Sequence, residues 1–122
     1  MSDTLTADRI IRETLMAMST LDYDEFIRLT HPEATNREAA DEPVAARGKG
    51  PAAFYATAQW LRAAYSDLTW DVHDIVVEGE LAVVHTTMRG RHTGPFVTYD
   101  AEGGVERAFA PTGAEFAVTQ SH

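Results

Sequence analysis

His92 stands in the run Arg89-Gly90-Arg91-His92-Thr93-Gly94, between glycines that let a ligand approach the backbone. An imidazole there can take or give a proton near neutral pH, which makes His92 the first candidate for acid–base chemistry. His73 and His85 lie on the same stretch, but no HxH or HxxxH spacing joins the three, and no metal site is expected. His31 precedes Pro32 at the end of an expected helix. An imidazolium there gains up to ~1 kcal/mol from the helix dipole, a structural role that competes with a place in a pocket wall. Tyr55, Trp60 and Trp70 can line a cavity for a flat ligand, although aromatic residues at helical spacing are more often core. His85 and Met88 on the hairpin complete the expected ligand-binding set. With no cysteine there is no thiol nucleophile. No Ser-His-Asp triad, phosphate loop or dinucleotide fingerprint occurs, and Gly48-Lys49-Gly50-Pro51 lacks the spacing of either glycine motif.

These residues need elements to position them. A first helix is expected over about Thr6–Ser19, capped by Thr6 or Asp8, with Ile11, Leu15 and Met18 on one face. Asp22 opens a second helix stopped by Pro32. Pro51 starts a third, whose Phe54, Ala58, Leu61 and Tyr65 recur at helical spacing. The polar linker Glu33–Gly50 reads as largely solvated, with short strands around Thr35–Arg37 and Val44–Arg47. Asp67–Phe96 then reads as two long strands joined at Glu78-Gly79-Glu80. Strict alternation puts Trp70, Val72 and Asp74 on one face and Asp71, His73, Ile75 and Val77 on the other. In the return strand His85 shares a face with Leu81 and Val83, and His92 falls opposite with Met88 and Gly90. Arg89 and Arg91 can pair with Asp71 or Asp74 across the hairpin. Pro95–Gly104 reads as a loop, followed by strands over Val105–Ala110 and Glu115–Ser121. Helices first and antiparallel strands after them make an α+β layout of one domain, residues 1–122.

Composition bounds the function. The chain of 122 residues carries a net charge of −9, and its ten Lys and Arg residues are scattered, so nucleic acid is not an expected partner. No apolar run approaches the ~20 residues needed to cross a bilayer, so no membrane partner is expected. The acidic start MSDTLTADR is not a secretory signal, and without cysteines a cytoplasmic location is the default.

Four segments, HPEATNREA (His31–Ala39), the Gly48-Lys49-Gly50 entry to the third helix, AYSDLTWDVHDIVVEGELAVVH (Ala64–His85) and RGRHTGPF (Arg89–Phe96), together resemble the SnoaL-like polyketide cyclases and ester cyclases. This family belongs to the nuclear transport factor two-like superfamily, with ketosteroid isomerase and limonene epoxide hydrolase. The resemblance implies a cone-shaped, curved antiparallel sheet wrapped around three N-terminal helices, a cystatin-like roll enclosing a hydrophobic pocket, commonly in a homodimer. It implies a cofactor-independent enzyme and an apolar small-molecule substrate. The reaction would be proton abstraction beside a carbonyl, leading to aldol-type cyclisation or isomerisation of a polyketide-like ester. Asn36 and Glu38 occupy the linker position where ketosteroid isomerase holds its general-base aspartate and cyclases often hold an asparagine. A one-residue slip exchanges which of the two faces inward, and Asn36 is preferred. With His92 and His31 they form the expected catalytic set. The family's last strand, end helix and acid–base aspartate would follow His122 and are missing from this sequence. Two alternatives follow: a non-catalytic ligand-binding or assembly domain of the same fold, and an epoxide hydrolase-like site using Asp74 and Arg89.

Overall fold

The computed structural model describes residues 2–122, and side chains from Thr6 onward. Helix α1 spans Ser2–Thr20, starting before the expected caps Thr6 and Asp8. The i,i+4 pairs Asp8–Arg12 and Arg9–Glu13 lie along its exposed side. Leu21 then adopts a left-handed φ of 57° to turn the chain, and its amide bonds back to Ala17 O. Packing of Leu21 on the helical core offsets that strain. Helix α2, Tyr23–Leu29, is capped as expected by the Asp22 carboxylate, which accepts from Asp24 N at 3.1 Å. Helix α3, Gly50–Ala64, carries Pro51 in its first turn. Gly50 is demanded twice over: its φ is 77°, and a Cβ there would stand 2.8 Å from Pro32 O. The three helices meet at Ala17, Phe26 and Ala58, with Phe54 and Tyr55 packed around them.

The linker differs from expectation. In place of strands it forms two short 3₁₀ turns, Ala39–Asp41 and Val44–Arg47, separated by Pro43. Proline supplies no amide for a strand ladder, and the turn before it closes locally through Glu42 N and Ala39 O.

Strands β1 (Tyr65–Glu78) and β2 (Leu81–His92) form the long antiparallel hairpin, with Gly79 at a φ of 57° in its turn. Two further strands, β3 (Phe96–Tyr99) and β4 (Val105–Phe109), form a separate hairpin. Strand β3 lies where a loop was expected. Strand β5 (Glu115–Ser121) pairs along β2, giving the order β1-β2-β5. Helix α1 is tied to the sheet where Ser19 Oγ donates to Leu68 O at 2.9 Å.

Strict alternation fails in β1. The register jumps from Val72↔Thr86 to Asp74↔His85, leaving His73 as the extra residue of a β-bulge. Ile75 and Val77 therefore join Trp70, Val72 and Leu68 on the inner face, and Asp74 turns outward. In β2 the inner residues are Ala82, Val84, Thr86, Met88, Gly90 and His92, as alternation predicts.

Candidate functional site

Glu42 is the buried carboxyl group of the linker, with 6% of its surface exposed. The 3₁₀ turn before it and Pro43 after it fix its backbone in an extended conformation, turning the side chain toward α3. There Thr57 Oγ1, itself buried, donates to Glu42 Oε1 at 2.5 Å. Burial raises the Glu42 pKa and the neighbouring Asp41 charge adds to this, while the Thr57 hydrogen bond opposes both. The linker is thus not uniformly solvated, and the correction falls on its last acid.

One turn along α3 from Thr57, Trp60 donates its indole N–H to Val97 O at 2.7 Å and packs on Phe96, ring centroids 5.1 Å apart. Phe96 stacks on Tyr65 at 5.9 Å, and Tyr65 contacts His92 at 5.6 Å and Phe116 at 4.9 Å. A continuous row of rings therefore runs from α3 to the end of β2. Burial raises the Tyr65 pKa, which keeps its phenol protonated.

His92 ends this row, half-buried on the inner face and opposite Tyr65 in the β1–β2 register. Its backbone is held on both sides, by Ala114 O and by Gly113 N. The ring Nδ1 accepts from Thr112 N at 3.4 Å, with Thr112 Oγ1 at 3.3 Å. An accepting Nδ1 assigns the proton of the neutral ring to Nε2. Among the described residues, His92 Nε2 is the buried side-chain polar atom that has no hydrogen-bond partner. Such an atom is free to bond a group brought in by a ligand.

Trp70 and Met88 lie side by side on the inner face, where Trp70 Nε1 reaches Gln120 Oε1 at 3.4 Å. Thr86 Oγ1, fully buried, is 3.4 Å from His122 Nε2. The inner face is thus apolar with a polar strip along β5. Tyr55 lies elsewhere, edge-on to Tyr23 and Phe26 between α2 and α3. His85 is exposed on the outer face, 5.3 Å from the His73 ring and with Nδ1 3.8 Å from Asp74. On the same face Arg89 pairs with Asp71 at 2.6 Å, as expected, and Arg91 pairs with Glu115. Asp74 and Arg89, the residues of an epoxide hydrolase-like arrangement, are both exposed there.

The other linker residues hold turns at the surface. The exposed His31 accepts from Glu33 N at 3.0 Å through Nδ1. Asn36 Oδ1 accepts from Glu38 N at 3.0 Å, and the Glu38 side chain is exposed. Neither Glu42 nor His92 lines either of two open surface depressions among the described residues. One of about 440 Å³ lies between α1 and α2 around Met16 and Arg28; the other, about 260 Å³, lies around Arg89, Arg91 and Phe116. Among the described residues no His, Asp and Glu cluster is placed to hold a metal, and no helix is long and apolar enough to cross a membrane.

The sequence profile of the SnoaL-like polyketide cyclases matches residues 8–122. The chain belongs to this family. Its fold is shared with TsrD from Streptomyces laurentii, at a TM-score of 0.72 and 23% identity over 94% of this chain and 74% of that one. It is also shared with wild-type IdmH from Streptomyces antibioticus, described as a candidate polyketide cyclase, at a TM-score of 0.61 and 22% identity over 92% and 76%. No curated protein matches the chain. In this SnoaL-like chain, as in those structures, helices precede a curved antiparallel sheet.

The residue that sequence reading missed in this family member is Glu42. A signal was present in Asp41-Glu42-Pro43: an acid before proline is held extended, and an adjacent acid raises its proton affinity.

Proposed function

We propose that this SnoaL-like chain is a cofactor-independent enzyme that abstracts a proton beside a carbonyl of an apolar, polyketide-like ester and cyclises or isomerises it. The observation that carries this reading is Glu42, a carboxyl group withdrawn from water and raised in pKa, as a general base working near neutrality must be. Its carboxylate takes the proton from carbon, and the electron pair moves to the carbonyl oxygen as an enolate. His92 Nε2, a buried polar atom without a partner at the far end of the Trp60–Phe96–Tyr65 row, binds a more distant oxygen of the substrate chain. The enolate carbon then attacks a second carbonyl, and Glu42 returns its proton to the new alkoxide. Trp60, Trp70 and Met88 form the apolar wall. Glu42 takes the role expected of Asn36 and Glu38, since their polar groups serve surface turns. His31 holds a turn in the same way.

The test is turnover of a panel of polyketide methyl esters, read both as product and as deuterium uptake at the carbon beside the ester. Glu42→Gln is expected to abolish both signals. An unchanged rate in Glu42→Gln and in His92→Phe removes the assignment. A second copy of the chain is the proposed occupant of the outer sheet face, where Val76 and Leu81 are 63% and 65% exposed beside Val83.

A further inference from the structure

Glu42 is enclosed, so a substrate reaches it only if something moves. The β3–β4 hairpin is built to do so. It shares no strand pairing with the β1-β2-β5 sheet, and every residue of β4 is exposed. Its two ends are pinned close together at the His92 end of the site. On one side Thr93 N and Gly94 N both donate to Ala64 O at the end of α3, and on the other Gly113 N donates to His92 O at 2.7 Å. Pro95 and Pro111 lie just inside these pins. The intervening chain crosses the Thr57–Trp60 face of α3, β3 packing on that helix and on the 3₁₀ turn that leads into Glu42.

The far tip is a self-contained turn. Asp100 Oδ1 accepts from Glu102 N at 3.0 Å and from Gly104 N at 2.9 Å, and Asp100 N bonds to Gly104 O. This tip offers two carbonyls to one side chain. Arg47 donates from Nη2 to Asp100 O at 2.7 Å and from Nη1 to Ala101 O at 3.1 Å, while its Nε donates to Glu42 O at 3.2 Å. One guanidinium therefore joins the tip of the hairpin to the backbone of the buried acid.

The geometry points to a hinged cover: the β3–β4 hairpin pivots at residues 93–95 and 111–113, controls access to the Glu42 carboxyl, and is latched shut by Arg47. This inference rests on the reading of Glu42 as the reactive group. The cover moves as a unit because its internal bonds are its own, and it meets the body at the Arg47 latch, the Trp60–Val97 bond, the seat of Phe96 on Trp60 and Tyr65, the 3₁₀ turn before Glu42 and Val44.

A reversible lock tests it. A Cβ placed on Gly103 would stand 3.7 Å from Val44 Cβ, within the ~3.5–4.5 Å that a disulfide needs. The chain has no other cysteine, so Val44→Cys with Gly103→Cys gives a single bridge between the tip and the linker. Carboxyl labelling with a water-soluble carbodiimide and glycine ethyl ester, read by peptide mass spectrometry, reports access to Glu42; exposed Glu80 is the internal control. Oxidation is expected to cut Glu42 labelling by about tenfold relative to the reduced form, as when an open state of ~10% population falls to ~1%. Reductant should restore it. Position 103 has a φ of 88°, which disfavours a side chain, so Arg47→Met provides an arm without a lock. There Glu42 labelling should rise several-fold over the unaltered chain while Glu80 stays constant. Equal Glu42 labelling in the oxidised and reduced forms, or in Arg47→Met and the unaltered chain, overturns the inference. Labelling reports access and ester turnover reports chemistry. A chain that gates Glu42 without acting on any ester keeps the cover and loses the base.

Discussion

The Thr57 hydroxyl donates to the Glu42 carboxylate at 2.5 Å from the face of α3 that also carries Trp60. The bond ties a linker acid to the helix that forms the floor of the ring row, and it favours the ionised form. Burial and Asp41 favour the protonated form and prevail.

The first prediction concerns pH. A carboxyl whose folded pKa exceeds its unfolded value binds a proton more tightly in the native state. Its stabilising contribution is complete below the unfolded pKa and is lost as pH rises from there through the folded one. Thermal melts of Glu42→Gln and the unaltered chain should therefore converge in acid and separate above the ordinary carboxylate range, with the Gln variant the more stable. Thr57→Val removes the bond that favours ionisation, so the acid limb of its rate profile should move to higher pH. Melts that stay parallel across the range contradict the raised pKa.

For His92 the expectation is a loss in substrate binding. Phenylalanine keeps the contact with Tyr65 and removes the Nε2 donor. Loss of one such hydrogen bond costs about 0.5–1.5 kcal/mol, up to about tenfold in KM. Steady-state kinetics on a turned-over ester should show KM rising with little change in kcat; the opposite split would place His92 at the reacting carbonyl.

Gly50 gives a prediction about stability alone. Alanine there must accept a φ of 77° and place its Cβ 2.8 Å from Pro32 O, a backbone atom that cannot swing aside. Strain of this kind costs of order 1–3 kcal/mol. Urea denaturation of Gly50→Ala should show a lower midpoint at an unchanged slope.

The outer face gives a prediction about assembly. Leu81→Glu with Val83→Glu places charges among the exposed apolar residues of β1 and β2. Light scattering on a size-exclusion column should give about twice 13.4 kDa for the unaltered chain and about 13.4 kDa for the double variant. A single 13.4 kDa species for both removes the second copy from that face.

Much of the scaffold could be read from the chain. The Asp22 cap, Pro51 in the first turn of α3 and Gly79 between β1 and β2 are local signals, and each was legible because its physics acts within a few residues. The inward placement of Met88 and His92 followed from alternation in β2. The bulge at His73 did not, because an extra residue in a ladder is fixed by pairing with the partner strand. Glu42 was hidden for a related reason. Asp41 beside it is charged and exposed, and the contact with Thr57 on α3 joins residues far apart in the sequence.

That bulge divides the long hairpin into two segments of opposite phase. Below it, even-numbered positions of β1 such as Trp70 and Val72 face inward; above it, odd-numbered ones such as Ile75 and Val77 do. A graft that exchanges the upper hairpin for one from another sheet must therefore be phased by its ladder partners on β2 and not by counting residues along β1. A join made without His73 leaves Val72, Asp74 and Ile75 facing in, out and in opposite Thr86, His85 and Val84, so the side chains above it keep their faces.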